Sequence, residues 1–308
     1  MSTQHATHEG HANHEGHGTH EGHGNHHRQH AGHVTAARTE HHAHAGHAAH
    51  DADLAHTGHD AHAGHGDHAG HGVPGGLQVT QDGYTLELAE TVARAGEVDF
   101  RFRIVGPDGG AVTEFAPLHD RELHLIVVRR ELDGFWHVHP VRAEDGTWEV
   151  RLTLPEAGAY RAFTDIAPRA LGKTITLGAD FAVAGEYQPR PVPEAGRTAV
   201  VDGYEVTLDG DLVDGAGQLL TLTVRKDGVA VTDLEPYLAA FGHLVVLRAG
   251  DLAYVHVHPN GEPGDGVTAP GPEVAFHTAV PGRGTYRLFL DFKHQGVVRT
   301  AGFTVRAA

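Results

Sequence analysis

The chain has no cysteine, and its only methionine is Met1. Without thiolates it can hold neither a disulfide nor a sulfur-ligated metal centre, and the lack of soft sulfur argues against a dedicated Cu(I) carrier. A cysteine-free chain is stable in either redox environment, so this absence fixes no compartment. Also missing are a Gly-x-Ser-x-Gly elbow and a Gly-Lys-Ser/Thr loop, which removes those nucleophilic and phosphate-binding chemistries. Lysine is scarce, with three against twenty arginines, and the formal net charge is −17. No basic patch with interleaved aromatics is offered to nucleic acid. No run approaches the roughly 18 apolar residues of a membrane span, and Met1-Ser2-Thr3-Gln4-His5 lacks the basic and apolar parts of a signal peptide. The expectation is a cytoplasmic chain without a membrane span, or an exported or cell-envelope one if a segment precedes Met1.

What the chain has instead is histidine. Twenty-two of its thirty-one histidines fall in the first 72 residues, many at a three-residue step. A His-Glu-Gly-His unit recurs from His8, His14 and His20. The candidate ligands are His8, His11, His14, His17, His20, His23 and His26, then His41, His44, His47 and His50, then His56, His59, His62, His65, His68 and His71. Imidazole, with a free pKa of about 6.5, is largely neutral and able to coordinate at neutral pH. In an extended chain a three-residue step separates rings by about 9 Å, so neighbours share an ion only if the chain folds back. The intervening Gly and Ala permit that, and so little helix propensity predicts a disordered tail over residues 1–76 with many exchangeable sites. With imidazole and carboxylate as ligands, Zn(II), Cu(II), Ni(II) or Co(II) is the expected cofactor class.

After Val73-Pro74-Gly75-Gly76 the chain repeats itself. Thr113 to Pro117 matches Thr232 to Pro236. Seven residues after each Pro comes His124 or His243, and thirteen further on His137-Val138-His139-Pro140 or His256-Val257-His258-Pro259. Gly158 to Asp165 matches Gly284 to Asp291. Such colinearity predicts two homologous domains, over residues 77–187 and 199–308, with a stiff Pro-rich linker at 188–198. Short segments rich in Val, Phe, Tyr and Leu, such as Glu97–Val105, Leu123–Val128, Trp148–Leu154 and Tyr160–Ile166, predict strands. Each repeat reads as an independently folded β-sandwich of immunoglobulin- or cupredoxin-like kind.

In the second repeat Gly250-Asp251 reads as a tight turn. Counting back from it sets His243 opposite His258 and Val245 opposite His256, so His243, His256 and His258 share a face within reach of one ion. By alignment His124, His137 and His139 form a second such site. Asp165 and Asp291 read equally as carboxylate ligands, as acceptors orienting an imidazole, or as strand caps. His277 aligns with Arg151, and His119 and His294 have no histidine counterpart; all three read as surface residues.

The block from His243 through Asp251 to His256-Val-His-Pro259, with its earlier copy, resembles a group of actinobacterial exported or membrane-anchored β-sandwich proteins thought to handle heavy metals. The resemblance spans about residues 76–308 and implies metal handling without catalysis. The expected function is therefore sequestration of a divalent transition metal, or its delivery to a transporter or metalloprotein. Two rivals remain. A cupin enzyme would use Gly250, His256, His258 and Glu262 inside a barrel, and an immunoglobulin-like adhesion module would need no metal.

Overall fold

The structure, a computed structural model, describes residues 74–255 and 257–308. The ligand expectations for the tail histidines and for His256 lie outside the described residues. Among the described residues every regular element is a strand. The first repeat runs through β1 (Thr80–Gln81), β2 (Tyr84–Leu88), β3 (Val92–Arg94), β4 (Gly96–Val105), β5 (Leu123–Arg129), β6 (Phe135–Val138), β7 (Val141–Arg142), β8 (Thr147–Leu154), β9 (Gly158–Ile166) and β10 (Ile175–Ala184). The second comprises β11 (Thr198–Val201), β12 (Tyr204–Asp209), β13 (Gly217–Lys226), β14 (Val229–Ala230), β15 (His243–Arg248), β16 (Tyr254–Val255), β17 (Val257–Pro259), β18 (Glu273–Ala279), β19 (Gly284–His294) and β20 (Val297–Ala307).

Each repeat is a two-sheet sandwich. In the first, sheet β1-β2-β4-β8-β7 covers sheet β3-β10-β9-β5-β6; in the second, β11-β12-β13-β18-β17 covers β16-β15-β19-β20. The alternation of side chains along a strand explains what each face does. On β5, Leu123, Leu125 and Val127 point into the first sandwich's core, and Ile126 and Val128 point the opposite way. On β15, Leu244 and Val246 fill the second core while Val245 and Leu247 face outward.

Those outward faces meet. Ile126, Val128, Leu132 and Phe163 from the first repeat pack with Val245, Leu247, Leu252, Tyr254 and Phe289 from the second in one buried cluster. The contacts are reciprocal. Phe135 stacks on Phe289 with ring centres 4.1 Å apart, and Tyr254, which aligns with Phe135, lies 5.7 Å from Phe163, which aligns with Phe289. Reciprocity of this kind marks an isologous interface, here between two copies within one chain. Burying each such side chain contributes about 1.5–3 kcal/mol relative to exposure. The two expected sandwiches are both present, and a third core joins them, because their inner sheets are apolar on both faces.

Polar contacts reinforce the joint. Arg287 Nε donates to the Leu132 carbonyl at 3.1 Å, and Arg130 Nη2 donates to the Gly250 carbonyl at 2.7 Å. Gly75 and Gly76 join at the same place. Tyr254 N–H donates to the Gly75 carbonyl and Gly76 N–H to the Thr176 carbonyl, both at 2.9 Å. Gly76 has φ +71°, and a Cβ there would meet the Phe163 ring at 2.5 Å, so only glycine fits.

Strand register agrees with the sequence reading as far as β16. Val246 pairs with Val255 and Leu247 with Tyr254, the count expected from the turn, although the turn is a four-residue loop rather than a two-residue one. Beyond His256 the chain changes sheets. β17 pairs with β18, which sets His258 opposite His277 rather than His243. In the first repeat β6 stays beside β5 through Val138, and the change to the outer sheet comes only at β7.

Candidate metal centre

The inner strands converge on a group of imidazoles. Pairing of β5 with β9 sets His124 opposite Asp165, and pairing of β15 with β19 sets His243 opposite Asp291, so the two repeats present the same His-Asp pair. Thr176 Oγ1 donates to Asp165 Oδ1 at 2.7 Å and Thr300 Oγ1 to Asp291 Oδ1 at 2.5 Å, again at equivalent positions. Docking of the inner sheets then brings His124, His137 and His139 of the first repeat together with His243 of the second. His124, His137 and His243 each offer one ring nitrogen within 4.8 Å of the other two.

Two of the rings have their protons fixed. His137 Nδ1 lies 2.7 Å from Asp291 Oδ2, and a carboxylate only accepts, so Nδ1 carries the hydrogen and, in the neutral ring, Nε2 carries the lone pair. His124 Nε2 lies 2.8 Å from the Leu118 carbonyl, so the lone pair of that ring is on Nδ1. These two lone-pair nitrogens face one another at 3.1 Å. His139 Nε2 reaches the same His124 Nδ1 at 3.2 Å. Ligand atoms 2.0–2.1 Å from a tetrahedral ion are about 3.3 Å apart, close to both separations. Ring centres tell the same story. Imidazoles sharing such an ion have centres roughly 5 Å apart, and His137–His243, His124–His139, His137–His139, His124–His137 and His124–His243 measure 4.7, 4.9, 5.0, 5.3 and 5.5 Å.

At His124, His139 and His243 the electrostatics favour neutral imidazole, the ligating form. Burial lowers the pKa of His124 to about 4, with neighbouring His137 adding to the effect. Burial, then His137 and His124, brings His139 to about 3. Desolvation and the same ring of histidines hold His243 well below its ordinary value. Tyr237 closes one side, 6.5 Å from His137 and 6.4 Å from His139, and burial beside Asp291 raises its hydroxyl to about 12.

Several expectations change here. The docked inner faces bring His124, His137 and His139 together with His243, while the expected grouping of His243 with His256 lies outside the described residues. His258 does not join it, since a strand paired to β18 turns that side chain out to solvent, exposed like His277. Asp291 has one oxygen on His137 and the other on Thr300, which makes it an orienting acceptor rather than a ligand. Asp165 is likewise bound by Thr176.

His277 is exposed as expected, whereas His294 and His119 are not surface residues of the kind foreseen. His294 is buried, with Nδ1 2.7 Å from the Tyr204 hydroxyl and Nε2 3.0 Å from Asp233. His119 lies 5.6 Å from His243 and 6.1 Å from His124, ring centre to ring centre. It was missed because its turn carries no glycine or asparagine signal. The cupin arrangement also fails on geometry, with His258 and Glu262 exposed and both sandwich interiors apolar. Elsewhere, a surface hollow lined by Leu77, Leu86, Leu88 and Arg161 contains no histidine.

Sequence comparison with curated proteins gives no match. Among solved structures the chain is similar to MtrC from Shewanella baltica OS185, at 9% identity over 73% of this chain and 69% of that one, with a TM-score of 0.23. It is similar to the D00-D0 domain of intimin at 11% identity, 72% and 99% coverage and a TM-score of 0.22. For domains 5-6 of the S-layer protein SbsC the figures are 15%, 73% and 98%, and 0.21. Likenesses of this size carry no argument about function. Residues 78–186 and 199–308 each match DUF8832, a domain of unknown function, and the chain therefore belongs to that family, with two tandem copies.

Proposed function

We propose that the protein binds a divalent transition metal ion at the interface of its two repeats, with His124, His137, His139 and His243 as ligands, and that the His-rich segment preceding residue 73 adds capacity. Sequestration or delivery of Zn(II), Cu(II), Ni(II) or Co(II) follows as its role. One observation carries the reading. Two imidazoles have their tautomers fixed by Asp291 and by the Leu118 carbonyl so that unprotonated nitrogens face each other at 3.1 Å. Two nitrogens so placed can share a cation, and the gathering of further imidazoles around them supports a metal ion in that role. An oriented carboxylate–imidazole pair is also the usual support of a metal-bound histidine.

Thermal unfolding of the full chain with and without Zn(II) tests this. An ion that binds only the folded protein stabilises it by about 2.7 kcal/mol at a hundredfold excess over Kd. For a domain of this size that shifts Tm by roughly 5–10 °C. The wild-type chain should show the shift and His137→Ala should lose it. A Tm that Zn(II), Ni(II) and Cu(II) all leave unmoved in the wild-type chain refutes the reading, and an adhesion-type module then stands in its place.

A further inference from the structure

We propose that His119 is an exchange ligand, the imidazole through which an ion joins and leaves the inter-repeat cluster. The inference rests on the metal-binding reading above and adds a route to it. His124 is 2% exposed and the side chain of His137 1%, so an ion held between them has little direct access to solvent. His119 is only partly buried and stands next to them. Its ring centre is 5.6 Å from His243 and 6.1 Å from His124, just outside the spacing of the four inner rings. A shift of about 1 Å would bring it to the roughly 5 Å at which imidazoles share an ion.

The turn that carries His119 is unusual. Leu118 and Arg121 exchange backbone hydrogen bonds at 2.7 and 2.9 Å, and the two residues between them, His119 and Asp120, have φ of 45° and 65°. This is a primed turn built without glycine, a conformation that costs energy for side-chain-bearing residues. The same turn positions the Leu118 carbonyl that fixes the tautomer of His124. The second repeat contains its counterpart. Tyr237 and Ala240 exchange the same pair of bonds, with Leu238 and Ala239 at φ 56° and 61°. The turn therefore forms with leucine where the first repeat has histidine, so its backbone does not require the imidazole.

Exchange through His119 would be associative: zinc can expand from four to five ligands, so a fifth imidazole would bind before an inner one is released. Buried centres otherwise release an ion only after losing a ligand outright, which is slow.

The test uses the full chain loaded with Zn(II) and mixed with excess 4-(2-pyridylazo)resorcinol, with release followed by absorbance. The cluster's phase is the one abolished by His137→Ala. In His119→Leu, which copies the sister turn, that phase should keep its amplitude and the Zn(II)-induced Tm shift should persist, while its rate falls about tenfold. His119→Asn should behave alike, since asparagine tolerates the left-handed backbone. An unchanged rate in both variants overturns the proposal, as does loss of the phase's amplitude, which would make His119 an equilibrium ligand. A wild-type chain with neither the phase nor a Tm shift removes the metal reading itself, and this proposal with it.

Discussion

His137 of the first repeat donates its Nδ1 hydrogen to Asp291 of the second, at 2.7 Å across the inter-repeat interface. The bond joins strands far apart in sequence, and it decides which nitrogen of His137 is free to ligate. Asp291→Asn reverses the arrangement, because an amide N–H can donate to Nδ1 and push the hydrogen onto Nε2. We expect Zn(II) affinity to fall by about 10–100-fold, the usual cost of losing a carboxylate behind a ligating histidine. Titration of the metal-induced Tm shift measures it, and an unchanged midpoint would show that Asp291 does not orient the ligand.

His139 and His258 occupy the same place in the two His-x-His-Pro blocks but not in the fold. His139→Ala should weaken the Zn(II)-induced Tm shift, since its Nε2 sits 3.2 Å from His124 Nδ1. His258→Ala should leave the shift within error, because His258 faces solvent opposite His277. Equal losses in the two variants would contradict the sheet switch before β17.

Removing an aromatic from the joint between the repeats should be costly. Phe289 is 4% exposed and stacks on Phe135 at 4.1 Å. Phe289→Ala should lower stability by about 3–5 kcal/mol in urea unfolding, as for other buried phenylalanines. A loss below about 1 kcal/mol would mean that the sandwiches hold together without that contact.

Acid should destabilise the metal-free protein at pH values where carboxylates remain charged. His124 has a folded-state pKa near 4, lowered by burial and by His137 and His119 against the opposing Leu118 carbonyl and Asp165, and His139 near 3, lowered by burial and then by His137, His124 and Arg121. In the unfolded chain both return to about 6.5. Between these limits the unfolded state binds more protons, so stability falls as pH drops below about 6.5 and continues to fall toward pH 4. Above about pH 7.5 the contribution is flat. Urea midpoints in EDTA from pH 8 to pH 4.5 measure the slope, and a wild-type midpoint constant down to pH 5 would contradict it.

The sequence carries the strands and half of the site. Short segments rich in Val, Phe, Tyr and Leu, bounded by turn residues, locate β4, β5, β8 and β9 to within two residues of their observed ends. Counting from the turn gives the register that pairs Leu247 with Tyr254. It could not give the merger of two sites, which depends on the outer faces of β5 and β15 meeting each other. A signal for that is present in Leu123-His124-Leu125-Ile126-Val127-Val128, an almost unbroken apolar run of the sort found in strands buried on both sides. His294 reads as a surface residue in the sequence because its partners Tyr204 and Asp233 are 90 and 61 residues away, contacts that no local pattern encodes.

The third core, shared by Ile126, Val128 and Phe163 with Val245, Leu247 and Phe289, also determines what the Pro-rich segment between the repeats is for. With the two inner faces already sealed against each other, that segment has no domain motion to permit and serves as a strap rather than a hinge. Within it Gln188 accepts from Arg129 through its carbonyl, and Arg190 pairs with Asp133 and Glu156, so the strap is stitched to the first repeat. A chain nicked within 191–196 would remain one particle, its halves parting only when the protein unfolds.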